Sequence, residues 1–349
     1  VRARRRPVEH RPLVGEGPMS EAGAVKRLPA DDQSILLAAQ WLRQGRLVAF
    51  PTETVYGLGA SCTDEDAIAR LYALKGRPGD NPLIAHVRVP EDLHRVARPS
   101  PEQADRIAEL AERFWPGPLT LVLPRGAGMS PSATGGRDTV AVRCPAHPVA
   151  RALIEAFGAP IAAPSANRSG HVSPTSAAHV LADFASEGEL LVVDGGPSRV
   201  GVESTVLDLV SDPPRILRPG SVLAEQLAEV LGEIDATPVI GQAASPGTAA
   251  RHYSPDTPAV LLDEAALVHE LASRTEPCAV LATSDLEVPR PHGRMAMPKD
   301  AEEYAARLYA VLREVDQAGF AAILIERPTS RSGLWSAIVD RLERATMPR

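Results

Sequence analysis

The chain has 349 residues, 44% of them hydrophobic and 23% charged, with a formal net charge of −7. That length allows two domains, each with its own core, and the acidic balance argues against broad non-specific nucleic-acid binding, which depends on neutralising many phosphates. No apolar run approaches the ~20 residues that span a bilayer, and three scattered cysteines, Cys62, Cys144 and Cys278, offer neither a disulfide framework nor a zinc site, so no membrane is involved and a cytoplasmic protein is expected.

Residues 1–30 carry seven Lys/Arg against three acids and lack a signal-peptide core. Their weak periodicity reads as a disordered extension, with Met19 as an alternative initiator; a basic nucleic-acid tail is the other reading. Residues 46–50 read as a strand entering a turn at Pro51. Residues 64–74 read as a helix with Ala67, Ile68, Leu71 and Tyr72 on one face and Thr63 as its N-cap. Short apolar strands are expected over 83–87, 119–123, 140–143, 161–163, 190–193 and 205–209. Helices are expected over 101–114, 147–157, 174–184 and 222–231. This alternation predicts an α/β fold, a mixed twisted sheet with helices on its faces. Periodicity weakens over 233–256, where Ser245-Pro246-Gly247 marks a linker. Beyond it, strands over 259–262, 279–282 and 321–325 and a helix carrying Tyr304, Leu308, Leu312 and Val315 predict a smaller second α/β domain.

The candidate chemistry begins at Lys75-Gly76-Arg77-Pro78-Gly79-Asp80-Asn81-Pro82. Lysine occurs only at 26, 75 and 299, against thirty-four arginines. Lys75 is a compact ammonium and Arg77 a planar fork, and the two act differently around phosphates. The plainer reading is a helix C-terminus decorated with cations. A second segment, Ala162-Ala163-Pro164-Ser165-Ala166-Asn167-Arg168-Ser169-Gly170, follows an apolar run and adds a hydroxyl, an amide and a glycine turn.

This Lys-x-Arg … Ser-x-Asn constellation resembles the Sua5/YrdC family, the threonylcarbamoyl-AMP synthases. Five further segments match in family order: Phe50 to Leu58, Trp115 to Thr120, Thr139 to Arg143, Gly201 to Thr205, and Leu217 to Gly220. The likeness runs continuously over about residues 31–232, and the tail is similar to the long Sua5 form. The resemblance implies a YrdC-like catalytic domain over 31–232, a linker or lid over 233–256 and a C-terminal Sua5 domain over 257–349. It implies synthesis of L-threonylcarbamoyl-AMP and pyrophosphate from L-threonine, bicarbonate and ATP with Mg2+, for t6A modification of tRNA. Downstream tRNA threonylcarbamoyl-transfer proteins would take the product, and contact with tRNA or double-stranded RNA is expected.

By the same resemblance Lys75 and Arg77 would face the ATP phosphates and act in catalysis, with Asn81 completing their loop. Thr139, Ser165, Asn167, Ser173 and Arg218 would also contact ATP. Arg143 would clamp the threonine carboxylate, where bidentate geometry favours Arg, and Thr54, His86, Ala163 (through its backbone) and Ser204 would shape the rest of that pocket. No protein metal site is implied. Ser245 to Pro255 is similar to the Sua5 linker motif, in which Tyr253 would contact the nucleotide as part of a lid. Thr248 and Ala250 stand where that motif commonly has Met and an aromatic residue, so the lid buries less apolar surface. Plainer readings stand beside these: Ser173 as an N-cap, Thr139 as a strand former, His86 as a core histidine. Glu53 and Glu203 are either bases or partners of a nearby Arg, and no general base is assigned. An O-carbamoyltransferase of this fold would need zinc-finger and acylphosphatase-like regions that the sequence lacks. An RNA-binding or ribosome-assembly module is disfavoured by the acidic body and 4% aromatic content, since single-strand binders stack bases on aromatic platforms.

Overall fold

The computed structural model describes residues 25–237 and 251–348. The first unit opens with β1 (Lys26–Pro29), α1 (Asp32–Arg43), β2 (Leu47–Phe50), β3 (Gly57–Ser61), α2 (Glu65–Lys75) and β4 (Ile84–His86). It continues with α3 (Pro101–Phe114), β5 (Leu119–Pro124), β6 (Thr139–Arg143), α4 (Pro148–Phe157), β7 (Ile161–Ala163) and α5 (Ala177–Phe184). It ends with β8 (Leu190–Asp194), β9 (Thr205–Asp208), β10 (Arg215–Arg218) and α6 (Ala224–Leu231). Among the described residues ten strands form one mixed sheet in the order β1-β8-β2-β3-β7-β4-β6-β5-β9-β10.

Side chains alternate between the two faces of a strand, and that alternation decides where the site lies. Ala85, Leu121, Val140 and Val142 point into the main core. α1 and α4 cover the opposite face over β8, β2 and β7, where Val48, Phe50, Ile161 and Leu191 pack. Beyond those helices the same face carries, among the described residues, a small apolar patch of Ile84, Val122, Ala141, Val206 and Leu217. There the sheet is free to hold polar groups.

The second unit contains β11 (Ala259–Leu262), α7 (Glu264–Ser273), β12 (Cys278–Ala282), β13 (Gly293–Ala296), α8 (Ala301–Gln317), β14 (Ala322–Glu326) and α9 (Leu334–Ala345). Its strands are all parallel, in the order β11-β14-β12-β13. α7 packs on one face and α8 and α9 on the other, where the core also takes in Val55, Val172 and Val202 of the first unit. Arg313 of α8 adds a buried clamp, donating to Asp183 at 2.7 and 2.8 Å and to the carbonyl of Val172.

Several local expectations are corrected. Lys26–Pro29, assigned to the disordered extension, pairs in parallel with β8; its Lys-Arg-Leu-Pro sequence has no apolar alternation because it is a mostly exposed edge strand. Asp64, not Thr63, caps α2 by accepting from the Ala67 amide at 2.9 Å. The helix placed at 174–184 begins at Ala177 with Ser176 as its cap, so Ser173 is no N-cap. Met19 and the linker residues Ser245 to Ala250 lie outside the described residues.

Candidate active site

The bare patch of sheet is the floor of a cleft. His86 and Arg143 are register partners on parallel β4 and β6, and Thr120 of β5 is Arg143's antiparallel partner. Register partners share a face, so all three stand together above Ile84 and Ala141.

Arg143 organises one corner. Its guanidinium donates to Glu53 Oε1 at 2.6 Å, Thr54 Oγ1 at 2.8 Å and the Gly117 carbonyl at 3.3 Å. Glu53 also accepts from the Ala146 amide at 3.1 Å. Burial opposes its ionisation, yet Arg143 outweighs burial and holds the carboxyl below its ordinary range. Glu53 is therefore an Arg partner. His86 lies within 3.1 Å of the Ile84 carbonyl through Nδ1. Burial, then Arg143, pushes its imidazole down to about 3, so the ring is neutral near pH 7. Ser204 Oγ sits 2.7 Å from Thr120 Oγ1 and accepts from Arg218 at 3.1 Å.

The other corner gathers cations. Arg77 donates to the Asn81 side chain at 2.6 Å and to the Asn81 and Pro82 carbonyls. Burial lowers it to about 10, which leaves it charged. Lys75 ends α2, and Gly76 follows as a left-handed C-cap at φ 60°, a conformation suited to glycine. The lysine is no solvated helix-end cation, since it is only 2% exposed. Its ammonium donates to the Ser165 carbonyl at 2.6 Å and to the Asn167 carbonyl. Burial, then Arg77, depresses its pKa well below the ordinary lysine value. The Lys-x-Arg and Ser-x-Asn segments are thus physically bonded to each other.

Of the residues the sequence singled out, Thr54, Arg77, His86, Arg143, Ala163, Ser165, Glu203, Ser204, Arg218 and Tyr253 line one cavity. Lys75, Asn81, Asn167 and Ser173 do not line it but form the wall behind: Lys75 bonds the Ser165 and Asn167 carbonyls, Asn81 accepts from Arg77, and Ser173 bonds Glu203. Asn167 donates to the Arg168 and His171 carbonyls and keeps Oδ1 without a partner among the described residues. Ser173 donates to Glu203 Oε1 at 2.6 Å. Thr139 starts β6 opposite Pro124 and does not line the cavity, a placement that suits its strand-former reading.

Tyr253 is buried, and its hydroxyl has no partner among the described residues. Its φ is 61°, a left-handed value that costs a non-glycine residue roughly 1–3 kcal/mol. Its ring stacks on Tyr309 at 5.7 Å, meets His252 edge-on at 4.1 Å, and lies 5.1 Å from the Arg341 guanidinium.

Sequence reasoning missed Thr52, His252, Tyr309 and Arg341, and it left Glu203 undecided. Glu203 accepts from Tyr309 at 2.9 Å and from Arg341 at 2.8 Å. Burial opposes its charge, but Arg341, Arg218 and Ser173 outweigh burial and bring it down to about 2. The available signal was an arginine, Arg341, set among the buried residues Ala337, Ile338, Leu342 and Ala345 of α9. A long cation on such a face needs a partner.

Two family models match the chain. That of the Sua5, YciO and YrdC proteins, described as "Telomere recombination", covers residues 40–220. One described as "Threonylcarbamoyl-AMP synthase, C-terminal domain" covers residues 222–346. The threonylcarbamoyl-AMP synthase of Pyrococcus abyssi is 42% identical over 90% of this chain and 95% of the relative. That of Bacillus subtilis is 41% identical over 91% and 94%. Among solved structures, P. abyssi Sua5 complexed with L-threonine superposes with a TM-score of 0.83 and 40% identity, covering 92% of this chain and 97% of that one. A P. abyssi Sua5 variant with a histidine and a tyrosine replaced by alanine gives 0.85 and 39%, covering 92% and 96%.

Proposed function

The chain belongs to the Sua5/YrdC family in its long, two-domain form, and from that premise we infer that its cleft makes L-threonylcarbamoyl-AMP and pyrophosphate from L-threonine, bicarbonate and ATP. The observation that carries this reading is the meeting of two unlike corners in one cavity. Arg143 with Thr54, His86 and Ser204 suits an amino acid, and Arg77 with Arg218 suits a phosphate chain.

The chemistry needs both corners at once. Threonine's amine must lose a proton and take up the carbon of bicarbonate, releasing water and leaving a carbamate. A carbamate oxygen then attacks the α-phosphorus, the bond to the β-phosphate breaks, and pyrophosphate leaves. Carbamate and triphosphate are both anionic, so positioned cations supply most of the catalysis. Three donors of Arg143 are taken by Glu53, Thr54 and Gly117. One N–H on each terminal nitrogen remains for the threonine carboxylate. Arg77 and Arg218 offset phosphate charge. Lys75 adds positive potential from the wall and holds the Ser165 to Asn167 loop against α2. Tyr253 closes the nucleotide side and excludes water from the mixed anhydride.

Mg2+ enters with ATP as part of the substrate. Glu53 and Glu203 are taken by Arg143 and Arg341, and no group of three or more His, Cys, Asp or Glu among the described residues fits a resident ion. No helix among the described residues is long and apolar enough to cross a membrane. Cytoplasmic synthesis, with the product passed to tRNA threonylcarbamoyl-transfer proteins and t6A as the end, is part of this proposal. The names of the relatives support the synthase over the RNA-binding alternative.

The test is to incubate the purified protein with ATP, Mg2+, bicarbonate and labelled threonine. Pyrophosphate release should require both threonine and bicarbonate, and the label should appear in an adenylate. Release that ignores either substrate overturns the reading.

A further inference from the structure

We propose that Arg341 and Tyr309 of the C-terminal domain are positioning residues for this synthesis, clamped on Glu203 so that they hold Tyr253 in the nucleotide side of the cleft. The inference rests on the synthase reading above. It gives the second domain a part in the reaction without any of its helices lining the cavity.

Arg341 gives two of its three hydrogen bonds to the first unit and the third to its own helix. Its side chain is fully buried, and its three nitrogens donate to Glu203 Oε2 at 2.8 Å, Asp340 Oδ2 at 2.6 Å and the Pro219 carbonyl at 2.9 Å. A guanidinium that bonds through its edge can still attract an aromatic ring it lies over, and Arg341 Cζ here lies over the Tyr253 ring, 5.1 Å from its centroid. Tyr309 repeats the pattern from α8: its hydroxyl donates to the same Glu203 oxygen at 2.9 Å, and its ring stacks on Tyr253 at 5.7 Å with 24° between planes. The other oxygen of Glu203 accepts from Ser173, and Ser204, the next residue, lines the cavity. One carboxylate therefore joins the cleft wall to both helices that grip Tyr253.

The backbone indicates why a grip is needed. Tyr253 has φ 61°, and a non-glycine residue persists in that region only when its surroundings over-determine it. Its neighbours are pinned on both sides: the Ser254 amide donates to the Gly170 carbonyl at 2.9 Å, and the His252 amide to the Arg344 carbonyl at 3.4 Å. Packing alone does not call for this arrangement, because apolar residues replace buried ion pairs without loss of stability in many proteins. A cation that bonds Glu203 and lies over the Tyr253 ring at once does what an apolar side chain cannot.

The experiment measures synthesis by the full chain, varying ATP and threonine separately, for Arg341→Lys, Tyr309→Ala and Tyr309→Phe, with and without Tyr253→Ala. Arg341→Lys and Tyr309→Ala should each reduce kcat/KM for ATP by about tenfold or more, while threonine affinity measured without ATP changes by less than about twofold. Tyr309→Phe keeps the ring and loses only the Glu203 bond, so it should retain more activity than Tyr309→Ala. In the Tyr253→Ala background the same changes should add less than about twofold, because residues acting through one another are not additive. Equal losses for both substrates, wild-type kinetics, or an undiminished Arg341 effect once Tyr253 is gone would each overturn the proposal. Should melting show Arg341→Lys unfolded, the two Tyr309 variants decide it by the same criteria. If the wild type shows no threonine-dependent pyrophosphate release, the synthase reading fails, and the cycle is read from ATP binding by calorimetry.

Discussion

Replacing Arg143 by lysine should weaken threonine binding by about 10- to 150-fold and leave ATP binding within about twofold. The range follows from what the guanidinium does. It is buried and already serves Glu53, Thr54 and Gly117, so only one N–H on each terminal nitrogen remains for a ligand. An ammonium has three donors radiating from a single point. It can stay with Glu53 or turn to the substrate carboxylate, but it cannot span both as the fork does. The positive charge survives, so the loss is about one charge-assisted hydrogen bond, roughly 1.5–3 kcal/mol. Arg143→Ala would also strand the Glu53 carboxylate, a loss of about 3–5 kcal/mol in stability, which makes lysine the cleaner probe. Calorimetric titration of the folded variant with threonine and, separately, with ATP measures the split. Equal weakening of both ligands would make Arg143 a structural residue, and unchanged threonine affinity would locate the carboxylate elsewhere.

Three further outcomes are expected. Lys75→Met keeps the buried stem but removes the charge; synthesis should fall by about 2–4 kcal/mol in transition-state terms with the helical circular dichroism intact, and near-normal turnover would remove Lys75 from the catalytic set. Gly201→Ala should lower stability by about 2–3 kcal/mol, because at φ 79° its Cβ would lie 2.2 Å from the Ala305 carbonyl oxygen and 2.4 Å from Ala306 Cα, backbone atoms that cannot swing aside; an unchanged melting temperature would refute that close approach of α8. Acid should destabilise the protein in two stages. His86 and His252 are each lowered from 6.5 to about 3, first by burial, so the stability they contribute is full above pH 6.5 and is lost as pH falls toward 3. Glu203, depressed from 4.5 to about 2 as Arg341 and Arg218 outweigh burial, adds a loss below pH 4.5. Melting temperatures at constant ionic strength should decline below about pH 6.5 and more steeply below about 4.5; a rise between pH 6.5 and 5 would contradict the sign.

What the sequence determined by itself was set by neighbouring residues. The helix read at 101–114 coincides with α3 because Ser100 and Gln103 form a capping box and Pro101 fits the first turn. The strand read at 161–163 coincides with β7, an apolar run buried throughout. The ordered family segments likewise named residues that meet in one cavity. Gly57–Ser61 escaped because a Gly-Leu-Gly-Ala-Ser run has no intrinsic strand preference; pairing with β2 and β7 makes it β3. Tertiary structure alone decided how the candidates divide between lining and wall. Lys75 became a wall residue because its ammonium, shut from water, had to find acceptors, and the carbonyls of Ser165 and Asn167 supplied them. It also decided the partners of Glu203. Arg341 lies 138 residues away in sequence, and no local pattern records such a pairing. A buried carboxylate must be paired, but only the docking of α8 and α9 against the sheet determines which cation and which hydroxyl reach it.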